Sequence, residues 1–207
     1  MKQILFILIF VSSTGVFGQN DEAFVEAQIS QIKAELEMQQ VSEYFMRKDF
    51  CEGNIQIFKM PNGGMCASTS TYYSVYVFWK SEDKTIVQKV DNCGTYEKIT
   101  IDDSTLLDKV SGLKDQLQKD DVKPYQSERI DDSPFGNMKV EDCRKEFTFH
   151  FDDHDFTKEF KEYDLSNESK FPNVHADYNN NLPLIKLDRN ITRLLADLES
   201  NGKFRRN

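Results

Sequence analysis

The densest group of side chains that could bind a metal ion lies in the hexapeptide HFDDHD at residues 150–155. Phenylalanines at alternate positions up to residue 151 indicate a β-strand, because strand side chains alternate between two faces. On a strand His150 and Asp152 point the same way, and Asp155 can join them across a turn, so these three residues form a weak candidate site for a divalent cation. The alternative is an acidic, solvated turn whose aspartates bond to their own backbone. The strand period also excludes the helical two-histidine geometry of zinc proteases.

A nucleophilic cysteine is a second chemical hypothesis. Cys66 follows a glycine turn, and His150, His154 and His175 could act as its base. The surrounding residues match no cysteine–histidine signature, and the chain has neither a Gly-x-Ser-x-Gly elbow nor a glycine-rich phosphate loop. Its 35 acidic residues single out no pair of carboxylates. The sequence therefore predicts no catalytic residue and no cofactor.

Residues 69–80 form the most aromatic segment of the chain and predict a strand that is apolar on both faces. Tyr72, Tyr76 and Phe78 share one of these faces. If this face were uncovered, the three rings could act as a stacking platform for a sugar or a peptide. The alternative is that helices cover both faces and the rings belong to the core.

The first eighteen residues have the pattern of a secretory signal peptide, with Lys2 before an apolar run at residues 4–11 and small residues before Gln19. An apolar run of eight residues is too short to cross a bilayer, which takes roughly 20. We expect cleavage between Gly18 and Gln19, no lipid anchor, since the nearest cysteine is Cys51, and a mature chain in the periplasm or outside the cell. The pattern resembles the signal peptides of Gram-negative exported proteins.

Four cysteines in an exported chain predict two disulfides. Three pairings are possible, and short sequential loops favour Cys51 with Cys66 and Cys93 with Cys143. No two cysteines have the close spacing of a zinc site, so a structural metal is not expected.

The chain is acidic, with a net charge of −9 that becomes −10 when Lys2 is removed with the signal peptide. Binding to nucleic acid or to an anionic membrane surface depends on clustered lysine and arginine. This charge therefore argues against both kinds of partner.

Three segments predict amphipathic helices, because their apolar residues recur at intervals of three and four. The first covers residues 21–48, with a break near Gln39 as an alternative, and has an apolar stripe formed by Val25, Ile29, Ile32 and Leu36. The second covers residues 106–117 after an N-cap at Ser104, and the third follows a cap at Asp188 and ends before Gly202.

The strands are predicted mainly as two aromatic hairpins. The first joins residues 69–80 to residues 85–90 and places Trp79 opposite Ile86 and Val75 opposite Val90, with a third strand at residues 95–101. The second spans residues 144–163, turns at residues 153–154, and places Phe147 opposite Phe160 and Phe151 opposite Phe156. Shorter strands are expected at residues 54–58 and 182–187.

Together these elements predict an α+β fold, an antiparallel sheet of about five to seven strands packed by two to three amphipathic helices and stapled by two disulfides. We expect one domain over residues 19–207, with a possible subdivision near residue 125. The sequence favours a non-catalytic exported protein that binds a protein, a peptide or a glycan. The alternative is a small secreted hydrolase that uses carboxylates or His150.

Overall fold

The computed structural model describes residues 21–101, 103, 105–127, 143–152, 154–167 and 172–207. The predicted signal peptide and the predicted cap Ser104 lie outside these residues. The helices are α1 (Asp21–Met38), α2 (Leu106–Gly112), α3 (Lys114–Lys119), α4 (Ala176–Asn181) and α5 (Pro183–Ser200). The strands are β1 (Glu43–Cys51), β2 (Ile57–Lys59), β3 (Met65–Ala67), β4 (Tyr72–Ser81), β5 (Lys84–Asp91), β6 (Gly94–Thr95), β7 (Ile99–Ile101), β8 (Cys143–Phe151) and β9 (His154–Lys161).

The described strands confirm the predicted fold class. Seven of them form one antiparallel sheet in the order β6-β5-β4-β1-β8-β9, and β7 pairs with β5 on the same side as β6. Strands β2 and β3 form a separate two-stranded ribbon. Among the described residues, no helix is both long and apolar enough to cross a membrane.

Helix α1 covers one face of the sheet with the stripe that its sequence predicts. Its buried side chains pack on a cluster contributed by β1, β4 and β5, which contains Tyr44, Met46, Val75, Val77, Trp79 and Val90. Full burial of an aliphatic or aromatic side chain contributes roughly 1.5–3 kcal/mol. This apolar stripe therefore holds α1 on the sheet.

Helices α2, α3 and α5 cover the opposite face. Their leucines and isoleucines enclose a second cluster whose centre is formed by Phe45, Phe78, Phe147 and Phe149, all fully buried. The rings of Phe45 and Phe78 stack with their centroids 4.7 Å apart. The sheet is thus enclosed between helices on both sides.

The predicted helix at residues 21–48 is wrong beyond Met38. Gln40 has a φ of 57°, and the amide of Val41 donates to the carbonyl of Leu36, so the helix ends there. Residues 43–51 form the strand β1, which lies between β4 and β8. Both faces of β1 are buried, and a run without apolar–polar alternation fits a helical spacing as well as a strand.

The first hairpin has the predicted register, with Trp79 opposite Ile86 and Val75 opposite Val90. The second hairpin does not, because its strands already pair at Phe151 and His154 and its turn is two residues long. Every partner is therefore displaced by two residues. A shift of two keeps each side chain on its predicted face, so the separation of core and solvent faces still holds.

The region before the last helix is a second correction. Residues 182–187 were expected to form a strand, and Asp188 to cap the helix, but α5 already begins at Pro183. A proline in the first turn needs no amide partner, which makes it a favoured helix start. Asp188 lies inside α5 and is buried. Gly202 follows the helix end with a φ of 60°, as predicted.

All four cysteines form disulfides, but the predicted pairing is wrong. Cys51 bonds to Cys143 and joins the ends of β1 and β8, which are paired neighbours in the sheet. Cys66 bonds to Cys93 and ties the β2–β3 ribbon to the turn after β5. The sheet register brings residues 92 positions apart together, which sequence spacing does not reveal.

The first residue of α1 is tied to the loop before β4. The buried carboxylate of Asp21 accepts hydrogen bonds from the backbone amides of Thr69, Ser70 and Thr71 at 2.7–3.2 Å, and from the Thr69 hydroxyl at 2.8 Å. Burial alone would raise the pKa of this carboxyl group, but these hydrogen bonds outweigh burial and hold its pKa well below the ordinary value.

We expect Asp21→Asn to lower the free energy of unfolding at pH 7 by about 1.5–3 kcal/mol, because an amide offers no charged acceptor to this loop. The lowered pKa of Asp21 stabilises the folded state above the unfolded-state pKa of about 3.9, and this contribution is lost as pH falls through the folded value. Urea unfolding at several pH values below 5 checks this expectation. An Asp21→Asn protein whose stability falls with acid as steeply as the wild type would contradict it.

Candidate functional site

The residues of the predicted metal site are only partly brought together. His150 Nδ1 lies 2.5 Å from Asp155 Oδ1 across the β8–β9 ladder, and the His150 ring stacks on Tyr44 with a centroid distance of 4.5 Å. Asp152 lies in the turn with a φ of 54°, and its backbone amide donates a hydrogen bond to the carbonyl of Ser42. Among the described residues, no three histidine, cysteine or acidic side chains are grouped closely enough to hold a metal ion.

The predicted aromatic platform is part of the core. Phe78 is fully buried and Tyr76 is 5% exposed, and the Phe204 ring packs beside Tyr76 with a centroid distance of 5.7 Å. Tyr72 is half-buried against Phe58. Tyr76 and Phe78 therefore leave no open ring face for a ligand. Cys66 has no thiol to act as a nucleophile, since it is oxidised.

A cluster of charged residues lies between the sheet and α5. Arg47, which is 3% exposed, donates two hydrogen bonds of 2.8 Å to Asp49 and one of 2.8 Å to Thr192. Asp188 lies 3.4 Å from Arg47 and 3.1 Å from Lys145. Burial raises the pKa of Asp49, and the attraction of Arg47 only partly offsets that increase. These contacts hold α5 on the sheet.

A second charged cluster anchors the tail segment, residues 203–207. Arg206 donates to both oxygens of Asp91 at 2.6 and 2.8 Å, and the Asp91 side chain is fully buried. Tyr96 and Tyr72 also donate to this carboxylate. Burial alone would raise the pKa of Asp91, but the bonds from Arg206 and Tyr96 outweigh it and lower the pKa. The Arg206 guanidinium and the Asp91 carboxylate thus compensate each other's charge within the protein.

A polar cleft of about 470 Å³ lies between α1, β5 and the segment at residues 95–98. Its most frequent side-chain group is the carboxamide, and we call it the amide cleft. The residues that supply this group are Gln28, Gln31, Gln88 and Asn207. Ile32, Glu35, Thr95, Tyr96, Glu97 and Lys98 complete the lining. The volume falls within the range of pockets that hold small ligands, about 300–1,000 Å³.

Gln88 is the unusual member of the amide cleft. Its side chain is 6% exposed, and its Nε2 donates to the carbonyl of Tyr96 at 3.0 Å. The Oε1 atom is buried and accepts no hydrogen bond from the described residues. Turning the amide over would place two acceptors against each other, so the bond to Tyr96 fixes the orientation. An unsatisfied buried acceptor costs about 1–3 kcal/mol.

No protein-family model matches this chain, and no curated protein or solved structure is significantly similar to it. Of the features described above, the amide cleft combines a volume suited to a ligand with a lining of several side chains that can form hydrogen bonds.

The charged residues of the amide cleft lie close to an intrinsic fluorophore. Lys98 Nζ is 2.9 Å from Glu35 and 5.6 Å from the ring centroid of Trp79, the one tryptophan of the chain. Trp79 is 3% exposed and belongs to the cluster beneath α1. A ligand that moves Lys98 would change the electrostatic environment of this ring, so Trp79 can report on the cleft.

Sequence reasoning missed Gln88, although a signal was present. Strand β5 was correctly predicted, and on a strand Ile86, Gln88 and Val90 share one face. Ile86 and Val90 pack beneath α1, so Gln88 is a polar residue in the middle of a covered apolar face. A buried polar side chain needs a partner, and this pattern could have marked Gln88 for attention.

Proposed function

We propose that this protein is an exported, non-catalytic binding protein and that the amide cleft takes a small, polar ligand. The carboxamide-rich lining of the cleft, formed by Gln28, Gln31, Gln88 and Asn207, is the observation that carries the proposal. The exposed carboxamides of Gln31 and Asn207 offer both donors and acceptors to the polar groups of a ligand. The two disulfides support a location outside the cytoplasm, where such bonds persist.

The arrangement of the ionisable groups favours binding over hydrolysis. A general base must reach the substrate with a carboxylate or an imidazole. Asp49 and Asp91 instead pair with buried arginines, and Glu199 accepts bonds from Lys89 at 2.9 Å and Tyr76 at 3.0 Å. These groups hold the tail segment and α5 in place. The alternative of a small hydrolase acting through such carboxylates therefore has less support.

We expect Gln31→Ala to weaken ligand binding several-fold without unfolding the protein. Gln31 is exposed on α1, so its replacement should change the free energy of unfolding by less than about 0.5 kcal/mol. Binding should weaken because a hydrogen bond from the cleft to the ligand is lost, and such a bond contributes about 0.5–1.5 kcal/mol.

The test is an NMR titration of the full mature protein with two probes, a blocked tetrapeptide and the disaccharide chitobiose. At least one probe should shift the side-chain amide signals of Gln31 in a saturable way, and Gln31→Ala should weaken that binding several-fold. The control is Gln118→Ala, which changes an exposed glutamine on the other side of the sheet and should bind like the wild type. If neither probe affects the cleft, the proposed function is wrong.

A further inference from the structure

We infer that a groove between α2 and α5 binds a medium-chain fatty acid, with the carboxylate at Lys186 on the rim and the hydrocarbon chain on the leucines of the floor. The groove has a volume of about 570 Å³, within the range of pockets that hold small ligands, about 300–1,000 Å³. It shares no lining residue with the amide cleft. It is therefore a second site, independent of the proposed function.

Two helix faces form most of this groove. Its residues on α5 recur at intervals of three and four, which places them on one side of the helix. They are Pro183, Lys186, Leu187 and Asn190. On the opposite wall, Leu106, Lys109 and Leu113 repeat this spacing along α2 and its C-cap. We call the cavity that these residues enclose the leucine groove.

The floor of the leucine groove is aliphatic. Leu106 and Leu187 are buried members of the core cluster on this side of the sheet, and the half-buried Leu113 packs against the same cluster. The described residues of the lining include no aromatic ring, on which a sugar could stack. A hydrocarbon chain gains affinity here because each methylene group that it places on these leucines leaves water.

The uncompensated charge of the rim is positive. Asp103, the acidic residue of the lining, already accepts hydrogen bonds from Lys109 Nζ at 3.2 Å and from the Thr105 hydroxyl at 2.6 Å. Asp103 and Lys109 thus compensate each other. Lys186 is exposed, and no carboxylate in the described part of the chain pairs with it. The rim therefore attracts an anion, although the whole chain has a net charge of −9.

The surroundings of Lys186 indicate where the carboxylate of the ligand lies. Lys186 also borders a neighbouring hollow whose lining includes Asp120 and Asp177, and these two carboxylates repel an anion on that side. Asn190 is four positions from Lys186 on the same face of α5, and its exposed carboxamide can donate a hydrogen bond to an anion. The ligand carboxylate therefore fits between Lys186 and Asn190.

The experiment titrates the full mature protein with decanoate, below the concentration at which it forms micelles, and follows binding by calorimetry and by methyl NMR. Decanol and decyltrimethylammonium, which carry the same chain on a neutral and a cationic head, form the other arms. We expect saturable binding of decanoate with shifts of the Leu113 and Leu187 methyl signals. Decanol should bind about 3- to 5-fold more weakly, since an exposed ion pair contributes modestly, and the cation about 10-fold more weakly or less tightly still.

Two variants separate the role of the rim from that of the floor. Lys186→Gln removes an exposed charge and should weaken decanoate about 3- to 5-fold, to the affinity of decanol, while decanol binding stays unchanged. Leu113→Ser removes part of the floor and should weaken decanoate and decanol alike. The control is Lys59→Gln, which changes an exposed lysine of the β2–β3 ribbon and should bind both compounds like the wild type.

Several results would overturn the fatty-acid site. One is the absence of saturable decanoate binding, and another is a decanoate affinity that does not change in Lys186→Gln. Equal binding of decanol or of the cation to the wild type would show that the rim does not select an anion. Shifts of the Gln31 signals in place of those of Leu113 and Leu187 would place decanoate in the amide cleft and also overturn the inference.

Discussion

Replacing Arg47 with methionine is expected to lower the free energy of unfolding by about 3–5 kcal/mol, the cost of breaking a buried ion pair from one side. Arg47 is buried and gives Asp49 two hydrogen bonds. It is also one of two cations near the buried carboxylate of Asp188, whose Oδ1 has no hydrogen bond from the described residues. Methionine fills much of the same space, but it removes the positive charge that Arg47 places beside the carboxylates of Asp49 and Asp188.

Urea unfolding followed by circular dichroism measures this effect. The matched control is Lys80→Met, which removes an exposed ion pair with Asp108 and should cost at most about 1 kcal/mol. If both variants lose the same small amount of stability, the charged cluster beneath α5 does not hold the helix strongly on the sheet. A large loss for Arg47→Met with an unchanged control would support it.

The disulfide between Cys51 and Cys143 is expected to contribute more stability than the one between Cys66 and Cys93. In the chain-entropy model, a cross-link restricts the unfolded chain more when its loop is longer, and the two sequence separations are 92 and 27. We expect the Cys51→Ala/Cys143→Ala protein to lose about 4–5 kcal/mol and the Cys66→Ala/Cys93→Ala protein about 3–4 kcal/mol.

Equilibrium unfolding in urea without a reducing agent compares the two double variants with the wild type. The order of the two losses is the decisive result, since it depends on loop length more than on the absolute scale. A greater loss on removal of the ribbon disulfide would show that contacts of the folded ribbon outweigh the restriction of the unfolded chain.

Local patterns predicted the parts of the fold that depend on neighbours in the sequence. The stripe of α1 and the register of the first hairpin are both confirmed, since a short turn between two strands sets how they pair. The second hairpin also turns within a few residues, but its alternating phenylalanines fit registers two residues apart equally well. Only the turn distinguishes them, and its acidic residues suit more than one turn length.

The errors arise where burial removes the local pattern. Strand β1 is covered on both faces, so Tyr44, Phe45 and Met46 show no alternation and were assigned to the preceding helix. Asp188 was read as a helix cap because aspartate favours that position, whereas its partner Lys145 comes from a distant strand. Such partners are set by tertiary structure, as are the disulfide pairs.

The same reasoning explains why the candidate site was not predicted. The sequence directed attention to His150, Asp152 and Asp155, which are adjacent in the chain and chemically conspicuous. The amide cleft is assembled from α1, β5, residues 95–98 and residue 207, and its glutamines are individually unremarkable in a sequence. What distinguishes Gln88 is the missing partner of one oxygen, which only the packed structure reveals.

The tail segment also bears on self-association. An open strand edge offers unpaired N–H and C=O groups on which another chain can build a cross-β contact. Here the backbone amide of Glu97 donates a hydrogen bond to the carbonyl of Arg205, and the amide of Asn207 donates one to the carbonyl of Thr95. The protein's own tail segment therefore occupies the β6 edge. At the other side of the sheet, Lys158 of β9 pairs with Asp121, a residue of the segment after α3. The β6 edge is thus protected against amyloid-like growth by a part of the chain that already uses its hydrogen-bonding groups.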